Sequence, residues 1–117
     1  MKTRYIILIA ILGIALVSGY GIYKNNTTSG EYDEFAKCLS ENDVIMYGTD
    51  WCSYCQKQKS LFGKSFDYVN YINCDSNKRK CVENNVKGYP TWKINNQTYS
   101  GVRPLESLSS MTDCKLN

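Results

Sequence analysis

The stretch that decides the fold is VIMYGTDWCSYC, residues 44–55. It opens with the apolar run Val44–Tyr47, which Gly48 follows and which is typical of a buried strand. A helix is predicted from Cys52 to about Phe62, because this segment is rich in good helix formers. The stretch therefore predicts a strand that leads, through a short loop, into a helix that begins at a pair of cysteines.

Six further elements are predicted from apolar patterning, strand-forming residues and turn signals. The last two strands are separated only by Asn95-Asn96, a two-residue sequence that fits a hairpin turn. The predicted helices are Glu31–Ser40, Lys78–Asn84 and Pro104–Met111, and the predicted strands are Tyr68–Asn73, Thr91–Ile94 and Gln97–Ser100.

The order of these elements predicts how the strands pair. About 20 residues, including a helix, separate the first two strands, which implies a parallel pair with a right-handed crossover. The hairpin then adds two antiparallel strands. We therefore predict an α/β fold with a four-stranded mixed sheet flanked by helices.

Cys52-Ser53-Tyr54-Cys55 lies where the predicted strand ends and the helix begins. The first turn of a helix carries unpaired N–H groups and a partial positive charge, so it would stabilise a thiolate on Cys52. Cys55 lies one turn further along and could attack a mixed disulfide formed on Cys52. The minimal chemistry is thiol–disulfide exchange, in which Cys52 attacks and Cys55 resolves the intermediate.

A turn at Gly88-Tyr89-Pro90 directly precedes the third predicted strand. Pro90 in this setting fits a cis peptide bond. Such a bond beside the two thiols would leave the backbone of Tyr89 free to pair with an extended substrate. We therefore predict that Trp51, Tyr89 and Pro90 bind substrate, whereas Trp92 is predicted to pack in the core.

Charge and composition exclude several classes of protein. The 117-residue chain has a formal net charge of +3, but from Asn25 onward 11 basic and 11 acidic residues balance. That part lacks the basic footprint of a nucleic-acid binder. The chain contains no histidine, which excludes Ser-His-Asp catalysis and histidine-ligated zinc. Six cysteines are many for a reducing cytosol and ordinary for an oxidising compartment.

The N-terminal segment contains an uncharged run of 19 residues, Tyr5–Tyr23. As a helix this run would reach roughly 28 Å, close to the hydrocarbon thickness of a bilayer. Lys2 and Arg4 precede the run and only Lys24 follows it. The positive-inside rule therefore keeps the N-terminus in the cytosol and places the remaining chain on the other side of the membrane.

A cleaved signal peptide is the alternative, since Ile6–Val17 fits an apolar core and Val17-Ser18-Gly19 fits a cleavage site. The length of the run favours the anchor. Both interpretations place the cysteines outside the cytosol, either on a single-pass membrane protein or on a secreted one. The predicted organisation is a signal-anchor transmembrane helix at 1–24, a polar linker at 25–30 and an α/β domain at 31–117.

Residues 34 to about 110 resemble the thioredoxin-like fold. More narrowly, they resemble the thioredoxin-like domain that is fused to, or partners, vitamin K epoxide reductase homologues. The stretches that carry the resemblance are Phe35–Leu39, Met46–Cys55, Leu61–Gly63, Asn73–Asp75, Gly88–Trp92 and Tyr99–Val102.

The resemblance implies that Cys52 is the exposed attacking cysteine, Cys55 the resolving cysteine and Pro90 a cis-proline. It also implies electron exchange with secreted proteins that are being oxidised and with a quinone-linked membrane oxidase of the vitamin K epoxide reductase type. No cofactor and no metal are predicted for the chain itself.

Two positions depart from the family pattern. Typical thioredoxins bury an aspartate six positions before the first active cysteine, where this chain has Met46. A proton relay through a buried aspartate is therefore in doubt. The dipeptide Ser53-Tyr54 matches neither Gly-Pro nor Pro-His, so it does not predict whether the chain oxidises or reduces its partners.

If Cys52 pairs with Cys55, three pairings are open to the other four cysteines, Cys38, Cys74, Cys81 and Cys114. A bridge between Cys74 and Cys81 closes a short loop easily, and the narrower resemblance supports it. Cys38 and Cys114 are then left, and their bridge would join the first helix of the domain to its C-terminal helix. Such a bridge typically stabilises a protein by about 2–4 kcal/mol.

A zinc-binding module and a redox-inactive module are two other possible functions. Cys52, Cys55, Cys74 and Cys81 could form a structural zinc site, but the second pair is spaced poorly for one and the Gly88–Pro90 turn has no role in it. A redox-inactive adhesion or chaperone module is disfavoured by the intact cysteine pair. We predict a membrane-anchored, extracytoplasmic thiol–disulfide oxidoreductase, with a secreted reductase or isomerase as the alternative.

Overall fold

A computed structural model describes residues 1–25 and 29–116. The chain forms five α-helices, one 3-10 helix and four strands within these residues. The helices are α1 (Lys2–Asn25), α2 (Asp33–Glu41), α3 (Ser53–Phe62), α4 (Lys78–Glu83) and α5 (Leu105–Thr112), and the 3-10 helix is Gly63–Tyr68. The strands are β1 (Ile45–Gly48), β2 (Asn70–Asn73), β3 (Thr91–Ile94) and β4 (Gln97–Ser100).

The four strands form one mixed sheet in the order β2-β1-β3-β4. β1 runs parallel to β2 and antiparallel to β3, and β3 is antiparallel to β4. The predicted α/β fold with a four-stranded mixed sheet is confirmed. Met46 at the centre of β1 is in register with Tyr71 on one side and Trp92 on the other. The strand that leads to the cysteine pair is thus an interior strand of the sheet.

The hairpin β3–β4 has the bounds that the sequence predicts. Its two turn residues, Asn95 and Asn96, have φ values of 51° and 65°. Positive φ at both central positions defines the primed turn whose twist matches that of the paired strands, and asparagine tolerates this conformation. The turn therefore fixes the register in which β4 pairs with β3.

The helix α3 has sharply defined ends. Cys52 is its N-cap residue, and Gly63 follows its last residue with a φ of 58°. The N–H of Gly63 bonds the carbonyl groups of Lys59 and Ser60, which satisfies two groups at the helix end. The helix therefore begins at the cysteine pair, as predicted, one residue later than the start that the sequence indicated.

The sequence analysis missed the 3-10 helix Gly63–Tyr68, and β2 begins two residues later than predicted. This segment has no apolar period, so pattern alone could not identify it. Tertiary contacts hold it instead: buried Ser65 accepts a hydrogen bond from the backbone of Tyr32 at 2.8 Å, and the Phe66 ring packs against Phe62 and Tyr71.

The main core lies between the sheet and the helices α2, α3 and α5. Trp92 is fully buried there, as predicted, beside the ring of Phe62. Gln58 is also fully buried and makes three hydrogen bonds. Its side-chain oxygen accepts from Trp92 Nε1 at 3.0 Å and from the Arg103 backbone at 2.7 Å, and its nitrogen donates to the Arg103 carbonyl at 2.9 Å. This side chain links α3, β3 and the segment before α5.

The domain contains one long-range disulfide and one local disulfide. Cys38 on α2 is bonded to Cys114, which follows α5, across 76 residues of chain. Cys74, just after β2, is bonded to Cys81 on α4 across seven residues. These are the two pairs that the sequence analysis expects. The long-range bridge holds the C-terminal segment against α2, which supplements the modest core of a small domain.

The N-terminal segment is helical from Lys2 to Asn25. In the part of the chain that the structure describes, no helix has both the length and the apolar character required to cross a membrane. The prediction of a transmembrane helix at residues 5–23 is thus not supported, although the helix is present. Within the predicted linker 25–30, residues 26–28 lie outside the described residues.

Replacement of Gln58 by leucine is expected to destabilise the domain by about 2–4 kcal/mol, because it leaves the buried Trp92 N–H and the Arg103 backbone groups without their partner. Urea unfolding followed by tryptophan fluorescence measures this change. Lys57→Leu, at the exposed neighbouring position of α3, is the matched control and should stay within about 0.5 kcal/mol of the wild type. Equal midpoints for Gln58→Leu and wild type would contradict the assigned role.

Candidate active site

The two cysteines of the CxxC motif lie at the N-terminal end of α3, and both have free thiols. Cys52 has an extended backbone conformation, with φ −76° and ψ 119°, which turns the chain from the loop into the helix. Its sulfur accepts a hydrogen bond from the backbone N–H of Cys55 at 3.2 Å. The sulfur thus occupies the position that a capping oxygen takes at other helices, where backbone N–H groups favour a negative charge.

The two sulfurs differ in their access to solvent. Cys52 retains 8% of its surface exposed, whereas Cys55 is completely buried. Cys52 is therefore nearly buried, and not exposed as the resemblance implies, but it is the more accessible of the two sulfurs.

The surroundings of Cys55 oppose its ionisation. Burial raises the pKa of the Cys55 thiol to about 11, and a hydrogen bond with the Cys52 side chain acts in the same direction. Two groups act in the opposite direction: a backbone hydrogen bond from Thr49 and the positive charge of Lys59 both lower this pKa. Cys55 is thus a neutral thiol at neutral pH, with two groups placed to favour its thiolate.

Gly48 at the end of β1 makes room for the Cys55 side chain. A Cβ atom at this position would lie 2.8 Å from the Cys55 sulfur and 3.3 Å from the ring edge of Tyr71. Contacts below 3.0 Å are not tolerated without displacement, so the strand must pass the sulfur as bare backbone. The last residue of β1 therefore determines how deeply the second cysteine can sit.

The loop before β3 lies against the first cysteine. The Tyr89–Pro90 peptide bond is cis, and the Cys52 thiol lies 3.7 Å from the Tyr89 carbonyl oxygen. Pro90 itself is fully buried, so its ring is not available to a reactant. The structure thus brings Tyr89 to the first cysteine and places Pro90 beneath the surface.

Two aromatic residues next to Cys52, one before it in the chain and one in the loop before β3, contact each other. Trp51 is 69% exposed and its ring meets that of Tyr89 edge-on, with centroids 6.1 Å apart. The Trp51 indole N–H donates to Asp75 at 2.8 Å, which fixes the ring in place. Tyr54, within the motif, is also exposed and was not singled out from the sequence. Its place between the two cysteines was the signal that could have identified it.

A polar cluster that the sequence analysis missed lies behind the second cysteine. The Asp50 carboxylate accepts hydrogen bonds from Asn73 at 3.0 Å and from the Tyr71 hydroxyl at 3.4 Å, and it pairs with Lys59 at 3.4 Å. Burial, and then the charge of Asp50, raise the pKa of Tyr71. Lys59 could have been noticed because it follows Cys55 by four residues on one helix, whereas no local pattern marks Tyr71.

The cysteine pairing removes the alternative of a zinc site. That site required Cys52, Cys55, Cys74 and Cys81, but Cys74 and Cys81 are bonded to each other and their sulfurs cannot act as thiolate ligands. In residues 1–25 and 29–116, no cluster of three or more cysteine, aspartate or glutamate side chains is arranged to hold a metal ion.

Two curated proteins that are similar to this chain are named for disulfide chemistry. The thiol–disulfide oxidoreductase LTO1 of Arabidopsis thaliana is 36% identical over 91 residues, which cover 70% of this chain and 24% of that protein. The protein disulfide-isomerase of Saccharomyces cerevisiae is 24% identical over 92 residues, 65% of this chain and 18% of that protein. The chain thus spans about a quarter or less of the length of these curated relatives.

Among solved structures, a thioredoxin mutant from Halobacterium salinarum superposes with a TM-score of 0.48 at 20% identity, covering 72% of this chain and 86% of that one. The thioredoxin of Fasciola hepatica gives 0.46 at 20% identity, covering 68% and 89%. The thioredoxin family model matches residues 24–113, most of the chain and all of the cysteine site. On the strength of that match, this chain belongs to the thioredoxin family.

Proposed function

We propose that this chain is a thiol–disulfide oxidoreductase that exchanges disulfides with protein substrates through Cys52 and Cys55. The observation that carries the proposal is the placement of the Cys52 sulfur at the start of α3, 3.2 Å from the backbone N–H of Cys55. Backbone N–H groups and the helix dipole stabilise a thiolate at this position, and the thiolate is the form that attacks a disulfide.

The exchange proceeds in two steps. When the chain acts as reductant, the Cys52 thiolate attacks a substrate disulfide, forms a mixed disulfide and releases one substrate thiolate. The Cys55 thiolate then attacks the Cys52 sulfur, which forms the Cys52–Cys55 bond and releases the second substrate thiolate. Oxidation of a substrate is the reverse sequence. The burial of Cys55 supports this division, because Cys52 is the only one of the two cysteines that retains any exposed surface.

The surface around Cys52 supports a protein substrate. Trp51, which precedes Cys52, and Tyr89, whose carbonyl oxygen lies 3.7 Å from the Cys52 sulfur, have exposed rings, and aromatic side chains of this kind supply contact area at low entropic cost. Pro90 contributes by supporting the Tyr89 backbone and not through its own buried ring. We propose that an extended substrate segment lies across this surface with its cysteine at Cys52.

We also propose that the domain works outside the cytosol. The bridges Cys38–Cys114 and Cys74–Cys81 support this location, because such bonds persist in oxidising compartments and are rare in the cytosol. The redox partner expected from the narrower resemblance is a membrane oxidase of the vitamin K epoxide reductase type, which would reoxidise the Cys52–Cys55 pair. The substrates would be secreted proteins that acquire disulfides.

Helix α1 is proposed to hold the domain at a membrane. Its apolar side chains from Tyr5 to Val17 are 53–74% exposed, a surface that is unfavourable in water and suited to lipid. Attachment would keep the redox site close to a membrane-embedded partner. The proposal concerns attachment through these side chains, whichever way the helix lies in the membrane.

Replacement of Cys55 by alanine is expected to trap Cys52 in mixed disulfides with its partners, because the resolving thiol is absent. Non-reducing gels of extracts, followed by mass spectrometry of the adducts, measure the trapping and identify the partners. The double variant Cys52→Ala/Cys55→Ala is the control and should form none of these adducts. Adducts of equal yield in both variants, or none in either, would refute exchange through Cys52.

Removal of residues 1–25 is expected to release the chain from the membrane fraction. After cell lysis at neutral pH and moderate salt, the full chain should sediment with membranes and the shortened chain should stay in the supernatant. Protease that is added to intact cells or vesicles on the side of the membrane opposite the cytosol should degrade the domain. Recovery of the full chain in the supernatant would refute attachment, and protection from the protease would refute the location.

A further inference from the structure

Lys59 lies one helical turn after Cys55 on α3, so the two side chains leave the same face of the helix. Its ammonium group is 3.4 Å from Asp50 Oδ1 and lies over the ring of Tyr71, 4.1 Å from the centroid. The Lys59 side chain is 27% exposed, and that of its partner Asp50 is 74% exposed. Three contacts from different parts of the chain, including the ring of Phe66 at 5.5 Å, therefore favour this position of the cation.

Tyr71 and the buried cysteine share one side of β1. The ring edge of Tyr71 and the sulfur of Cys55 both approach the position where Gly48 lacks a side chain, at 3.3 Å and 2.8 Å from it. The ring that carries the Lys59 ammonium group therefore lies on the same side of the strand as the thiol. The positive charge of Lys59 acts on that thiol in favour of its thiolate form.

Within the part of the chain that the structure describes, Lys59 is the one positively charged group that acts on the Cys55 thiol. Met46 on β1 is fully buried and uncharged. Asp50 is turned to Lys59, Tyr71 and Asn73. The titratable and charged groups that face the two sulfurs and the Tyr71 ring are Cys52 and Lys59 on α3, Asp50 before it, Tyr71 on β2, Asp75 after β2 and Tyr89 before β3. Lys59 is the cation of this group.

We propose that Lys59 is a positioning residue for the resolving step: held over Tyr71 by Asp50, its ammonium group stabilises the thiolate that Cys55 must become in order to attack the mixed disulfide on Cys52. The inference rests on the thiol–disulfide exchange proposed above. It assigns the charge that stabilises the second thiolate to a residue of the same helix.

Charge and bonds are conserved when Cys55 attacks the mixed disulfide. The Cys55 thiol releases its proton to water, and the resulting thiolate is stabilised by Lys59. The thiolate attacks the Cys52 sulfur, the Cys52–Cys55 bond forms, and the bond between Cys52 and the partner sulfur breaks. The partner sulfur takes the bonding electron pair and leaves as a thiolate. Loss of the Lys59 charge raises the free energy of the Cys55 thiolate and therefore slows this step.

The test uses the reduced full chain and the aromatic disulfide dithiobis(nitrobenzoate) as probe. Attack by Cys52 releases one thionitrobenzoate and leaves the other bound to Cys52, and attack by Cys55 releases the second. Stopped-flow absorbance separates the two releases, and both are followed as a function of pH. The variants are Lys59→Met, Lys59→Arg, and Lys57→Met as the matched control at an exposed position of the same helix.

For Lys59→Met, the second release is expected to be about tenfold slower near neutral pH, with its half-maximal pH raised by about one unit. The difference should narrow as the pH is raised towards the Cys55 pKa of about 11. The first release should be unchanged, which also shows that the variant is folded. Lys59→Arg should restore the second release, and Lys57→Met should match the wild type.

Two failures are distinguishable. If the wild type gives no rapid first release that depends on Cys52, the proposed exchange is wrong. If the wild type gives both releases but Lys59→Met has the same pH profile for the second release as Lys57→Met, the exchange stands and the role of Lys59 is wrong. A Lys59→Met variant that slows both releases equally at every pH would show a structural role and would also overturn the inference.

Discussion

The hydrogen bond from the Cys55 backbone to the Cys52 sulfur is the contact on which the rest of the site depends. It requires Cys52 to cap the helix, which in turn requires an interior strand to end four residues earlier, at Gly48. The same arrangement places Cys55 one turn deeper, beneath the surface that a partner meets. One cysteine can then be presented to other proteins while the second is kept from them, as sequential exchange requires.

Burial of Cys55 makes its thiolate unfavourable, and neighbouring residues reduce this penalty. A thiolate in an apolar surrounding is unfavourable, yet the resolving step needs one. The Thr49 backbone and the Lys59 charge both favour that thiolate, and Asp50 and Tyr71 fix the lysine. The proposed role of Lys59 gives Cys55 a source of stabilisation for negative charge, as the helix end gives one to Cys52.

Local sequence patterns were enough to predict much of the fold and the two cysteines at the centre of the site. The hairpin was predictable because Asn95-Asn96 suits only a few turn types. The start of α3 was predictable because a strand, a loop and a run of helix formers follow one another within residues 44–62. The 3-10 helix before β2 was not, since Ser65 and Phe66 are held by distant partners. The Asp50–Lys59–Tyr71 cluster escaped for the same reason: its members meet only after β2 has paired with β1. The apolar N-terminal run predicted a helix correctly, whereas its assignment as a membrane span was not supported.

The most direct test of the central claim is a redox titration of the full chain in glutathione buffers, in which free thiols are alkylated and mapped by mass spectrometry. The account predicts that Cys52 and Cys55 gain and lose alkylation together, in one reversible two-electron transition, while Cys38–Cys114 and Cys74–Cys81 stay oxidised over the same range. The midpoint of this transition gives the reduction potential of the Cys52–Cys55 pair. Its comparison with the redox potential of the compartment would decide whether the chain oxidises or reduces its partners. The account would be contradicted if Cys52 and Cys55 never form a bond with each other or respond independently to the buffer.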